Sequence, residues 1–534
     1  MPISRRRFLG SAAASGAGAT LIGVPSPAAA HVGDALPAGH PDAIVGRGDP
    51  RYSFLVNRGF NNRYVGSPDT IRLVYSAKQV ERALDEAVRQ QLPFTVRAGG
   101  HCLDALVDDP RFRLLLDVSE MKDVTFDTKM NAFAVEPGLT LGEMYRALYL
   151  GWGVTVPAGI CPDVGVGGHI LGGGYGALSR RFGLSVDYLH AVEVVTVGKN
   201  GRARTIVATR DAGDPHRDLW WAHTGGGGGN FGIVTKYWFR DPAATGREPS
   251  RLLPRPPDRL YFTWATWPWE GMTEADFVRL VSNHGAWHAA NSGPDSPYTG
   301  LHSALHLNTE KEQAIFLEIR MDATVPDASR MLDDYIAAVG AGVGVQAQVS
   351  TSEEPWLDNT LFAYDFPESE YDRGKSKGSH LRRPLNEEQI RGVYRALTDP
   401  AYPNWCMVYL AASGGRVNAV APDATAVPQR DSLFKLWVSG TWAGADQDAV
   451  SIDYVRRLYR GIHAATGGMP VPNEAQDGCY INYPDVDTRD PAWNTSGVPW
   501  HALYYKNSYR RLQQVKAKYD PLNVFRHALS IEPA

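Results

Sequence analysis

Three glycine clusters in the first half of the chain constrain it more than any other feature. The first, Arg97-Ala98-Gly99-Gly100-His101, closes a short apolar run and is followed by Cys102. The second runs Cys161-Pro162-Asp163-Val164-Gly165-Val166-Gly167-Gly168-His169-Ile170-Leu171-Gly172-Gly173-Gly174-Tyr175-Gly176. The third, Gly225 to Gly229 with Gly226 inside it, precedes Asn230-Phe231-Gly232-Ile233-Val234. Neither of the first two is a P-loop or a clean G-x-G-x-x-G fingerprint. Without a Cβ, successive backbone N–H groups can converge on an anion. Three such loops in one domain predict a long ligand carrying a pyrophosphate, wrapped on several sides.

The segments around the loops alternate strand and helix. Ile71–Val74, Phe94–Arg97, Leu114–Val118, Ala132–Val135 and Ala191–Val197 read as strands. Val80, Ala83, Leu84, Ala87 and Val88 recur at helical spacing, as do Met144, Tyr145 and Leu148. Leu253-Pro254-Arg255-Pro256-Pro257 is a proline-rich break. Beyond it, Tyr261–Trp264, His302–Leu307, Ile315–Met321 and Phe434–Val438 read as strands, and Cys406–Leu410 is strand-like. Asp327–Ala338, Asn386–Leu397, Asp446–Thr466 and Ser508–Tyr519 read as helices. The pattern predicts an α+β protein of two units, with helices packed on sheets.

Apolar residues make up 43 % of the 534 residues and charged residues 21 %, enough for a sizeable core. The net charge of −4 argues against nucleic acid or an anionic membrane as partner. The N-terminus has a three-part export pattern. Ser4-Arg5-Arg6-Arg7-Phe8-Leu9 matches the twin-arginine signal, a weakly apolar stretch follows to Val24, and Ala28-Ala29-Ala30 is a cleavage site. Residues 1–30 are therefore expected to be removed on secretion. Four cysteines, Cys102, Cys161, Cys406 and Cys479, are too few to staple an exported protein of this size, and no pair has metal-ligand spacing.

The R-x-G-G-H motif at Arg97–His101, together with the cysteine that opens the second glycine segment, resembles the berberine-bridge-enzyme-like branch of the vanillyl-alcohol-oxidase (p-cresol methylhydroxylase) flavoprotein superfamily. The resemblance is strongest to its bicovalent carbohydrate and aclacinomycin-type oxidases, and it runs from about Arg63 to Pro533. It implies FAD bound twice: an 8α-histidyl bond at His101 and a 6-S-cysteinyl bond at Cys161. The FAD would be cradled by Arg97, Ala98, Gly99, Gly100, Cys102, Gly165, Gly167, Gly168, His169, Gly172, Gly173, Gly174, Tyr175, Gly226 and Ile233. Val164, by the same resemblance, goes with reoxidation by O2. The implied architecture is an FAD-binding domain from residues 46–253 completed by residues 479–534, with residues 254–478 as substrate domain.

Tyr480-Ile481-Asn482-Tyr483 resembles the family's Y-x-N-Y motif. An alcohol oxidase needs a base within reach of the hydroxyl proton while hydride leaves the carbon. The resemblance gives that role to Tyr483. Tyr409 matches a second active-site tyrosine in relatives that oxidise sugars on antibiotics, and as one of 24 tyrosines a structural role is equally open. Asn482 and Asn507 are implied near the ring. Lys506 stands where the family usually has glycine. Trp264, Trp405, Trp437 and Trp442 could stack on sugars or fill the core. The implied reaction is oxidation of an alcohol on a sugar or glycosylated metabolite, with O2 as acceptor and H2O2 released. An oxidative ring-closing enzyme, a dehydrogenase with another acceptor, and a flavin-bearing binding protein remain as alternatives.

Overall fold

The computed structural model describes residues 41–362 and 373–534, so the export segment read at residues 1–30 lies outside the described residues. A four-stranded sheet contains β1 (Ala43–Gly46), β2 (Thr70–Leu73), β3 (Phe94–Arg97) and β4 (Leu114–Asp117) in the order β1-β2-β4-β3. The helix Ala77–Arg89 starts where Ser76 Oγ accepts the Gln79 N–H. It turns Val80, Ala83, Leu84 and Ala87 onto Leu114, Leu116, Val195 and Val197, the face its sequence spacing predicts. A five-stranded antiparallel sheet follows: β5 (Val124–Asp127), β6 (Ala132–Val135), β7 (Leu189–Val197), β8 (Ala203–Thr209) and β9 (Ile233–Phe239), ordered β5-β6-β9-β7-β8. The helix Leu141–Trp152 between them is fixed by a capping box of Thr140 and Glu143 and stops at Gly153, whose φ is +68°.

The second unit is a seven-stranded, fully antiparallel sheet. Its strands are β10 (Arg259–Pro268), β11 (Leu301–Asn308), β12 (Ala314–Asp322), β13 (Gln348–Pro355), β14 (Arg373–Leu381), β15 (Trp405–Ala412) and β16 (Phe434–Trp442). They are ordered β13-β10-β12-β11-β15-β16-β14. Alternation gives the sheet two unlike faces. Leu305, Leu317, Val408 and Val438 point to one face, which packs under the helices Glu274–Asn291, Ala328–Gly340, Glu387–Leu397 and Asp448–Ile462. Register places Phe316, His306, Tyr409, Trp437 and Gly378 in one row on the opposite face. This second row turns toward the glycine loops.

Two elements of this unit carry little apolar patterning. The helix Glu274–Asn291 buries Phe277, Leu280 and Val281 but also His284 and His288. Strand β14 reads Arg-Gly-Lys-Ser-Lys-Gly-Ser-His-Leu and is nevertheless buried. The C-terminal helices Trp500–Tyr505 and Tyr509–Tyr519 return to the first unit, where the latter packs on the helix Arg217–Ala222.

Candidate active site

Backbone contact brings the two main glycine loops together. A Cβ on Gly99 would lie 2.5 Å from Gly165 Cα, and one on Gly167 would lie 3.0 Å from Ala98 Cβ and Pro137 O. Any larger residue at the crossing would force the loops apart. Val164 sits at this crossing, its carbonyl accepting the Leu141 N–H at 2.9 Å. Gly100 has φ +79°, and a side chain there would also strike Arg58 O at 2.7 Å, so glycine is needed on both counts. The result sets the His101 ring beside Cys161, with Nε2 3.9 Å from Sγ. His101 stacks on Phe60 with ring centroids 3.9 Å apart. Arg97 is buried behind the loop, its guanidinium bound to Asp108, Asp117 and Leu55 O. It holds the turn from inside. Cys102 Sγ turns to Asp104 O at 3.1 Å, and burial pushes its thiol up to about 12.

The C-terminal motif closes over the second loop. Asn482 Nδ2 donates to His169 O at 2.8 Å and to Tyr480 OH at 3.0 Å, and its amide fills the space a side chain at Gly172 would need. Gly173 and Gly174 have φ of +115° and +70°, the latter against Ser185. Tyr175 follows them, and its hydroxyl donates to Ala412 O on β15. His169 Nε2 accepts the Gly159 N–H at 3.0 Å, and burial, then the nearby Lys435 and His101 charges, lowers its pKa to about 3. Tyr483 packs against the row on the large sheet. Its ring lies over Gly378 and stacks on Trp437 with centroids 5.3 Å apart. Burial pushes its phenol up to about 12, and the Cys161 thiolate adds to the effect.

Tyr409 stands on the other side of Trp437, ring centroids 6.2 Å apart, with the His306 ring at 4.8 Å. Glu318 lies between His306 and Arg320. Of the four tryptophans read as stacking candidates, Trp437 and Trp264 are half-buried on this face. Trp405 is held by Asn308, whereas Trp442 is buried and donates to Asp448.

Lys435, two residues before Trp437, is a group that no motif flagged. It is buried, its ammonium finds no hydrogen-bond acceptor among the described residues, and it lies 3.1 Å from the Tyr480 ring centroid and 4.1 Å from that of Tyr175. Burial drives its pKa well below the lysine range. A lysine inside the apolar run Phe434–Val438 was the available signal.

The third glycine run departs from the expected phosphate nest. Gly226 N–H donates to Ala222 O and Gly227 N–H to Leu171 O, so neither amide is available to an anion. Asn230 binds the carbonyls of Gly226, Gly227 and Gly228, and Tyr505 OH adds a bond to Gly226 O. Ile233 is buried in the core of the first unit. Asn507 is exposed in the short turn Lys506–Ser508. Lys506 adopts φ +46°, the region glycine favours, and its ammonium pairs with buried Asp477.

The remaining residues fit a flavin dinucleotide. The N–H groups of Gly99 and Gly100 have no acceptor among the described residues. The Cβ side of Gly168 has open space to 4 Å. An imidazole and a thiol stand side by side at the loop crossing.

Residues 68–206 match the FAD binding domain family, and residues 479–532 match the family described as berberine and berberine like. The chain is 51 % identical to an aclacinomycin-N/aclacinomycin-A oxidase of Streptomyces galilaeus, covering 99 % of this chain and 98 % of the relative. It is 30 % identical to a hexose oxidase of Chondrus crispus, covering 92 % and 95 %. A crystal structure of a glycopeptide hexose oxidase complexed with teicoplanin superposes with a TM-score of 0.89 at 51 % identity, covering 92 % of this chain and 99 % of that one. The chain belongs to the berberine-bridge-enzyme-like FAD-linked oxidases of the vanillyl-alcohol-oxidase superfamily. It is an FAD-linked oxidoreductase acting on CH–OH groups, with a small-molecule substrate and O2 as acceptor.

Proposed function

We propose that this enzyme is exported through the twin-arginine route, carries FAD bonded to both His101 and Cys161, and oxidises a hydroxyl on a sugar or glycosylated metabolite with release of H2O2. The observation that carries the reading is the 3.9 Å approach of the His101 imidazole to the Cys161 thiol, with Tyr483 beside them. FAD, when bound, supplies the hydride acceptor and the route for electrons to oxygen. Tyr483 takes the hydroxyl proton. It does so as the phenolate, so its own proton must leave first; the raised pKa makes that loss harder and the phenolate, once formed, a stronger base. Conversion of the Cys161 thiolate to a neutral thioether removes one of the two causes that raise Tyr483. Trp437 orients the Tyr483 ring by stacking, and Trp437, Tyr409 and His306 form an aromatic shelf on which a sugar face can lie.

The relatives support the substrate class, since their names attach them to aclacinomycins and hexoses. The test has two arms. Protein precipitated in acid should keep its yellow colour, with flavin mass on the His101 and the Cys161 peptides. Peroxide should appear with a hexose or a glycoside such as aclacinomycin A. A colourless pellet would refute the covalent reading, and a reduced flavin that air does not reoxidise would refute the oxidase.

A further inference from the structure

Between the first glycine loop and the Tyr483 loop lies a buried cluster of charges that the chemistry above does not use. Lys375 and Lys377 project from β14 on the face opposite Gly378. Asp485 and Asp487, two and four residues beyond Tyr483, wrap round this edge strand and meet them. Lys375 Nζ lies 2.7 Å from Asp485 and 3.2 Å from Asp487, Lys377 pairs with both, and Arg456 holds Asp487 at 2.6 Å. Asp104, three residues after His101, completes the set. Its carboxylate accepts the Val486 N–H at 2.9 Å, the Tyr64 hydroxyl at 2.6 Å and the Ala105 N–H at 2.9 Å, and stands 3.5 Å from Lys375. The cluster holds three cations and three anions, and the Lys375, Lys377, Asp104, Asp485 and Asp487 side chains are almost wholly buried. Hydrophobic packing would fill this volume at lower desolvation cost, so the charges are better explained by the geometry they impose than by stability.

The geometry points to Asp104 and Lys375 as a positioning pair that locks the His101 loop to the Tyr483 loop, so that the imidazole is aligned for its bond to the flavin. The inference rests on the doubly bonded reading above. Each bond exchanges a flavin C–H for C–N or C–S, with two protons and two electrons leaving to oxygen as hydrogen peroxide. Only the His101 bond depends on the loop that Asp104 pins. Cys161 sits on the second loop, whose backbone is tied to the start of the helix Leu141–Trp152, with the Leu141 N–H donating to Val164 O at 2.9 Å and the Gly142 N–H to Pro162 O at 2.9 Å, neither of them through the Asp104 loop.

The experiment is peptide mass spectrometry of purified holoenzyme, reading flavin on His101 relative to flavin on Cys161. Asp104→Asn and Lys375→Met should each lower the His101 adduct severalfold while the Cys161 adduct stays, and the double variant should be no worse than the worse single, as coupled neighbours require. Should Asp104→Asn not fold, Tyr64→Phe removes one bond to the same carboxylate and should lower the ratio less. An unchanged ratio, or equal loss of both adducts, overturns the pair as a positioning device. Wild-type protein with flavin on neither peptide defeats the covalent reading itself, and this inference with it.

Discussion

Tyr483 is a phenol asked to lose a proton in surroundings that oppose the loss. Burial, and Cys161 where its sulfur is not bonded to flavin, push its pKa up to about 12, above that of a free tyrosine. Tyr483→Phe keeps the stacking on Trp437 and deletes only the acceptor oxygen. We expect flavin reduction under anaerobic, single-turnover conditions to slow by about 10²–10⁴-fold, the usual weight of a positioned general base. Lys435 raises a different question at the same scale. Its ammonium has two aromatic faces but no hydrogen-bond acceptor among the described residues. Cation–π contact offsets only part of the desolvation. Lys435→Met is therefore expected to stabilise the fold by about 1 kcal/mol, read as a higher unfolding midpoint in denaturant. A lower midpoint would mean the two rings more than compensate the ammonium.

At the scale of elements, the site is a crossing of two loops rather than a pocket in one of them. Gly99 and Gly168 separate two reasons for glycine. A methyl on Gly99 meets the backbone of Gly165 at 2.5 Å, and backbone cannot step aside cheaply. Gly99→Ala should destabilise the protein by about 1–3 kcal/mol and deplete flavin. A methyl on Gly168 meets no described atom within 4 Å. Gly168→Ala should leave the unfolding midpoint of flavin-free protein nearly unchanged yet lower flavin content, measured as the ratio of visible to ultraviolet absorbance. Equal effects of the two substitutions on stability would show that Gly168 is structural. Strand β14 illustrates how an element escapes pattern reading. Its lysines are buried because Asp485 and Asp487 neutralise them from a segment more than a hundred residues away in the chain. Edge strands rich in lysine also resist pairing with other chains.

For the molecule as a whole, buried histidines set the response to acid. His223 is held at about 4, and His284, His302 and His463 at about 3, by burial; burial also holds His288 and His380 well below the usual imidazole range. Each is neutral in the folded chain and becomes protonated near pH 6.5 when unfolded. A base with a depressed folded pKa gives stability that is fully present above the unfolded value and is lost as pH falls from about 6.5 toward the folded value. Each such site costs up to about 1.4 kcal/mol per pH unit inside that window. Thermal midpoints should therefore fall steeply between pH 6.5 and 5, and a flat profile there would mean the sites are protonated in the native state. The glycine loops, the strands with apolar runs, the helix Ala77–Arg89 and the pair His101 and Cys161 were legible in the amino-acid order, because each is written in local spacing or in a contiguous motif. The sequence alone thereby determined the α+β class, the flavin and the attachment candidates. Only the folded chain decided that Arg97 faces inward, that Gly226 and Gly227 spend their amides on their own framework, that Lys435 lies against Tyr175 and Tyr480, and that Asp104 meets Lys375. Those assignments depend on cross-strand register and on long-range charge pairing, and neither leaves a periodic trace along the chain.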